Sequence, residues 1–134
     1  MRKILLILIL ATLPLVATSS GRLQRARVAG NPIHTLTDGE TITPNWNNSN
    51  IQIVTLGGNR TLANGTNPAD GATYIVIVKQ DAGAPRTLAY GDKYLFEGGA
   101  DPVLSTGNGD VDVLTFLYNL DDDVYYGLVA QEFE

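Results

Sequence analysis

The chain has 134 residues, of which 44% are hydrophobic and 17% charged, with one His, one Trp and no Cys. That length holds one domain with a modest core, and the composition is too apolar for a disordered chain. The absence of Cys excludes a disulfide scaffold, a zinc knuckle and thiol catalysis; a single His leaves no multi-His metal site and little room for Ser-His-Asp chemistry.

The formal charge of −5 is the sum of two opposed regions. Residues 1–30 carry five bases and no acid, whereas residues 31–134 carry four bases against fourteen acids, a net −10. A body this acidic repels phosphate backbones, so nucleic acid is not an expected partner.

In chain order, Met1-Arg2-Lys3 is a short basic start, and Ile4 to Val16 is apolar except for Thr12 and Pro14. Small residues follow from Ala17 to Gly21. Residues 1–20 therefore read as a secretory signal or as an anchoring segment used in assembly. The apolar run is shorter than the roughly 20 residues that a membrane span needs. Residues 21–37 form a basic linker or arm, in which Arg22, Arg25 and Arg27 are candidates for docking on an acidic partner.

From Asp38 the hydrophobic period is two. Ile51 to Leu56 is a strand rich in β-branched residues, closed by Gly57-Gly58-Asn59, and Arg60 to Leu62 starts a short return strand. Ala72 to Gln80 is the strongest strand. Tyr74, Val76 and Val78 share one face and Ile75, Ile77 and Lys79 the other, so both faces are apolar through the middle and a central position is expected. Arg86 to Tyr90 is expected to pair with it as a hairpin. Lys93 to Phe96 and Val103 to Ser105 are further short strands, the latter edge-like. In Val111 to Tyr118, Val111, Val113, Thr115 and Leu117 oppose Asp112, Leu114, Phe116 and Tyr118, and Val124 to Ala130 returns antiparallel. Eight or nine short strands predict an all-β domain over residues 38–134: an antiparallel β-sandwich of jelly-roll type.

Side chains of chemical interest are few. Asp110, Asp112 and Asp121 to Asp123 are carboxylates of the kind Ca²⁺ takes, but they lack EF-hand spacing, and turns commonly hold Asp. No metal or cofactor is expected. Trp46 and Tyr125 are candidates for a surface contact, such as stacking on a sugar, against the alternative of core packing. Tyr125 and Tyr126 are adjacent on a strand, so only one of them can face outward.

An ordered set of short motifs adds a resemblance. Gly57 to Asn64 (GGNRTLAN) is followed by Thr66-Asn67-Pro68, Asp70-Gly71, Gln80-Asp81, Arg86-Thr87-Leu88, Tyr94 to Gly99 (YLFEGG), Pro102 to Thr106, Val111 to Phe116 and Tyr125-Tyr126-Gly127. In this order the body resembles a β-rich domain at the C-terminal ends of tailed-bacteriophage tail-fibre and other virion proteins. The resemblance implies a non-enzymatic structural protein of the virion, often oligomeric, with other capsid or tail proteins as partners and no catalytic residues. Fibre domains usually follow a long shaft; a hydrophobic segment and a basic linker better fit a small surface or decoration component attached through its N-terminal arm. The alternative is a secreted carbohydrate-binding β-sandwich or a tail-fibre-type host-attachment domain, with a host-surface glycan as partner.

Overall fold

A computed structural model describes residues 30–134. Residues 1–29, which include the hydrophobic segment and Arg22, Arg25 and Arg27, lie outside the described residues. Nine strands are present among the described residues: β1 (His34–Thr35), β2 (Thr41–Ile42), β3 (Ile51–Leu56), β4 (Arg60–Leu62), β5 (Thr73–Gln80), β6 (Leu88–Tyr90), β7 (Tyr94–Phe96), β8 (Val111–Asn119) and β9 (Val124–Phe133). The domain is all-β, with a six-stranded sheet in the order β1-β3-β5-β8-β9-β7 and a three-stranded sheet in the order β2-β4-β6.

The connectivity differs from a jelly roll. From β1 to β6 the chain alternates between the two sheets, and each new strand lies parallel beside its predecessor in the same sheet. This is a parallel winding of three circuits. β7 then returns to the far side of the six-stranded sheet, and the β8–β9 hairpin fills the gap between β5 and β7. Only β5–β8 and β8–β9 pair antiparallel. Arg60 to Leu62 and Leu88 to Tyr90 therefore do not fold back on the preceding strand. Each crosses to the opposite sheet and pairs there with the other. Val103 to Ser105 is not a strand, and the packed body begins upstream of residue 38, since β1 joins the sheet and Leu36 joins the core.

Stacked corners explain why short turns lead across rather than back. At one corner the Asp38 carboxylate accepts from Arg60 Nε and Nη2, both at 2.8 Å, and from Gly57 N at 3.2 Å. The next circuit is tied on by Arg60 N donating to Thr87 O (2.9 Å) and Thr87 N donating to Asn59 Oδ1 (3.0 Å). At the other corner Trp46 N donates to Thr66 O, and Gln52 Nε2 donates to the carbonyls of Asn45 and Ser49. The Asp38, Asn59 and Gln52 side chains at these corners satisfy backbone groups of neighbouring turns, as buried or half-buried loop backbone requires.

The core fills the space between the sheets. Val54, Leu56, Val76, Val78, Leu114 and Phe116 come from the six-stranded sheet, and Ile42, Leu62 and Leu88 from the three-stranded one. The period of two places Tyr74, Val76 and Val78 inward, and on β8 it buries Asp112, Leu114, Phe116 and Tyr118.

Candidate functional site

The side chains on the reverse of those strands form the outer face of the six-stranded sheet. Register brings them into rows. Ile51 lies beside Ile75, Ile75 beside Thr115, and Thr115 beside Leu128. The next row is Ile53, Ile77, Val113 and Ala130, and on the other side lie Thr73, Leu117, Tyr126 and Leu95. Lys79, Val111 and Phe133 close one end. The central isoleucines and valines are half-buried by their sheet neighbours. Leu95, Leu117, Tyr126 and Leu128 keep 45, 48, 44 and 64% of their surface exposed. Together with Phe96, Gly127 and the charged Glu97 they line a shallow depression of about 550 Å³. Within these rows Lys79 is the sole charged side chain. Outward sheet faces that meet water normally alternate polar with apolar residues, so this face departs from the rule.

At the end opposite Lys79 the β8–β9 turn carries Asp121, Asp122 and Asp123. Tyr126 Oη donates to Asp122 Oδ2 at 3.1 Å, which orients the exposed ring. Asp123 pairs with Lys93 and accepts from Tyr118 Oη at 2.7 Å. The Lys93 ammonium and the Tyr118 hydroxyl hold the Asp123 carboxyl below the usual carboxylate range. The same hydrogen bond, with burial, pushes the Tyr118 phenol up to about 12.

The candidate contact residues Trp46 and Tyr125 do not form a surface platform. Trp46 is 6% exposed and Tyr125 fully buried. The indole stacks on Tyr74 with ring centres 4.1 Å apart, and its Nε1 donates to Tyr125 Oη at 2.9 Å. Tyr125 Oη donates on to Gly65 O at 3.1 Å. Gly65 packs directly against the indole Nε1, where a Cβ has no room. Burial also raises the phenols of Tyr90, Tyr94 and Tyr125. Of the adjacent pair, Tyr126 is the one that faces outward.

The carboxylates considered for Ca²⁺ are dispersed. Asp112 is buried and accepts from Ser105 N (2.7 Å), Ser105 Oγ (2.5 Å) and Glu132 N (3.3 Å). Asp110 caps the turn at Gly107. Among the described residues no group of three or more His, Asp or Glu side chains converges to hold a metal ion. His34 lies beside Asn48 at the rim of an open polar groove of about 290 Å³ that also includes Asp38 and Asn45. The described residues contain no helix long and apolar enough to cross a membrane.

Comparison with protein-family models, with curated proteins and with solved structures finds no match to this chain. The outer face was written in the sequence as the alternation of Ile75 with Ile77 and of Val111, Val113 and Leu117. That pattern alone does not mark a site, because apolarity on both sides of a strand is the usual mark of burial on both sides.

Proposed function

We propose that this chain is a non-enzymatic structural component of a larger particle, in the manner of the small surface or decoration proteins on the head or tail of a tailed bacteriophage. The observation that carries this reading is the outer face of the six-stranded sheet: broad, apolar and nearly free of charge, on a body that is otherwise strongly acidic. Monomeric proteins rarely leave contiguous apolar patches above a few hundred Å² open to water, and larger ones mark contact surfaces. The ordered set of motifs over residues 38–134 that resembles virion domains supports the same reading. The basic residues Arg22, Arg25 and Arg27 supply an attachment arm of opposite charge to the body.

The test is where the chain resides in its producing organism. On a density gradient the chain is expected to co-sediment with particles of virion size, with Met1 intact by N-terminal sequencing. Recovery as a free extracellular protein with a new N-terminus near Ser20 overturns the proposal in favour of secretion. Deletion of residues 1–30 is expected to abolish particle association, and unchanged association removes the role of the arm.

A further inference from the structure

We infer that the outer face of the six-stranded sheet is covered by a second copy of this chain, the two sheets packing face to face about a two-fold axis that runs across the strands. This deepens the assembly reading above and rests on it for the premise that the face is a contact surface.

Area is the first argument. Leu95, Leu117, Tyr126 and Leu128 together expose ~400 Å², taking ~200 Å² for a large side chain. The half-buried isoleucine and valine rows bring the face to ~600–700 Å², near the ~800 Å² per partner of a standard stable interface. Sheet faces stack well on one another, aligned to within about 30°.

Shape is self-complementary about that axis, and like charges are kept apart. Such an axis keeps each strand over its own counterpart and reverses its direction. Its natural position lies between the row of Ile75, Thr115 and Leu128 and the row of Ile77, Val113 and Ala130. Leu128, the most exposed large apolar side chain of the face, then stands over Ala130 of the other copy, and the reciprocal pair forms by symmetry. The same reversal sets Lys79, at one end of β5, over Thr73 at the other end of β5 in the second copy, so that the two Lys79 ammonium groups lie at opposite ends of the face and the two acidic turns lie far apart. An axis along the strands would leave Lys79 near its own copy and both acidic turns together. Two bodies of net −10 repel one another over most of their surface; this face, with few charges, is where that repulsion is least.

The test uses the full chain and two variants, Leu128→Glu and Leu128→Lys. Light scattering at tens of micromolar is expected to give twice the chain mass for the parent and a halving to the chain mass for each variant alone. An equimolar mixture of the two variants is expected to regain the doubled mass, because the two introduced charges are then opposite in sign and lie diagonally across the axis from each other. Circular dichroism of each variant should match that of the parent, since Leu128 is exposed in the single copy. A parent of one chain mass, a parent of three or more, or variants that keep the parent's mass each overturn the inference. Failure here is distinct from failure of the assembly reading: a single-copy parent that still co-sediments with particles removes only the second copy.

Discussion

Replacing Trp46 separates an interior role from a surface one. The indole is 6% exposed, stacked on Tyr74 and hydrogen-bonded to Tyr125 Oη. Truncating a buried Trp to Ala removes its transfer free energy and leaves a cavity, together ~3–5 kcal/mol. The lost hydrogen bond belongs to the lower part of that range, because Tyr125 Oη keeps Gly65 O as acceptor, and a net bond is worth only ~1 kcal/mol. A domain with ~5–15 kcal/mol of total stability loses a large fraction of it. Trp46→Phe keeps a ring on Tyr74 and is expected to cost less, about 1–2 kcal/mol. Urea titration followed by far-ultraviolet circular dichroism measures both. In the parent, Trp46 is the sole Trp, so its fluorescence gives a second transition that must coincide if unfolding is two-state. Exposed substitutions fall within ~0.5 kcal/mol, so a loss below ~1 kcal/mol for Trp46→Ala refutes the interior assignment.

Asp112→Ala leaves Ser105 N and Ser105 Oγ without their buried acceptor, while Glu132 N keeps Ser105 Oγ at 3.0 Å, and is expected to cost ~2–3 kcal/mol, with Asp112→Asn milder because one oxygen remains; thermal melting reads both, and equal melting points contradict the clasp. Gly127→Ala drives a Cβ to 2.6 Å from Phe96 and 2.9 Å from Phe116, and a loss of ~1–3 kcal/mol is expected from the same assay. Asp38, Asp81 and Asp123 are each held below 3.8 by a hydrogen-bonded cation, so their contribution is full above about pH 4 and is lost as the pH falls through their folded values. Melts from pH 5 to about pH 2 should show that decline, and Asp38→Asn should flatten part of it. At the alkaline end the raised phenols of Tyr90, Tyr94, Tyr118 and Tyr125 stabilise the fold fully below their usual 10.0 and lose that contribution as pH rises beyond it; the share of tyrosinate absorbance that these four supply is expected to appear together with loss of the circular dichroism signal.

Strand positions were legible because β-branched runs and a period of two are local. β3, β5, β8 and β9 lie where the alternation placed them, and Asp112, Leu114, Phe116 and Tyr118 share the buried face as their spacing required. Pairing was not legible. Period two tells which side chains share a face, not which strand lies alongside. The three residues of β4 and of β6 follow Gly- and Pro-containing turns that suit a hairpin and a sheet-to-sheet corner equally. What decides for the corner is long-range: Asp38 gripping Arg60, and Asn59 receiving Thr87 N. Trp46 sits in no alternating segment, so nothing local signalled that its corner is folded over the aromatic core. The same limit applied to the candidate site, since the outer rows belong to strands far apart in sequence.

The two outward faces of this molecule make an internal comparison. On the three-stranded sheet the outward row is Thr41, Thr61 and Ala89, small and mostly polar, as a wetted sheet surface should be. On the six-stranded sheet the corresponding positions are mostly Ile, Val, Leu and Tyr, with Thr73, Thr115 and Ala130 among them. One chain, with one composition, follows the solvent rule on one face and breaks it on the other, so a general excess of apolar residues does not explain the difference. Nor does core packing, because the three-stranded sheet already covers the inward side of β3, β5 and β8 and cannot reach their outward side. Isoleucine at 51, 53, 75 and 77 gains strand propensity that Thr would supply almost as well without exposing apolar surface. Those apolar rows are the observation on which the proposed contact surface rests, and the near absence of charge among them is the composition found at the centre of protein interfaces.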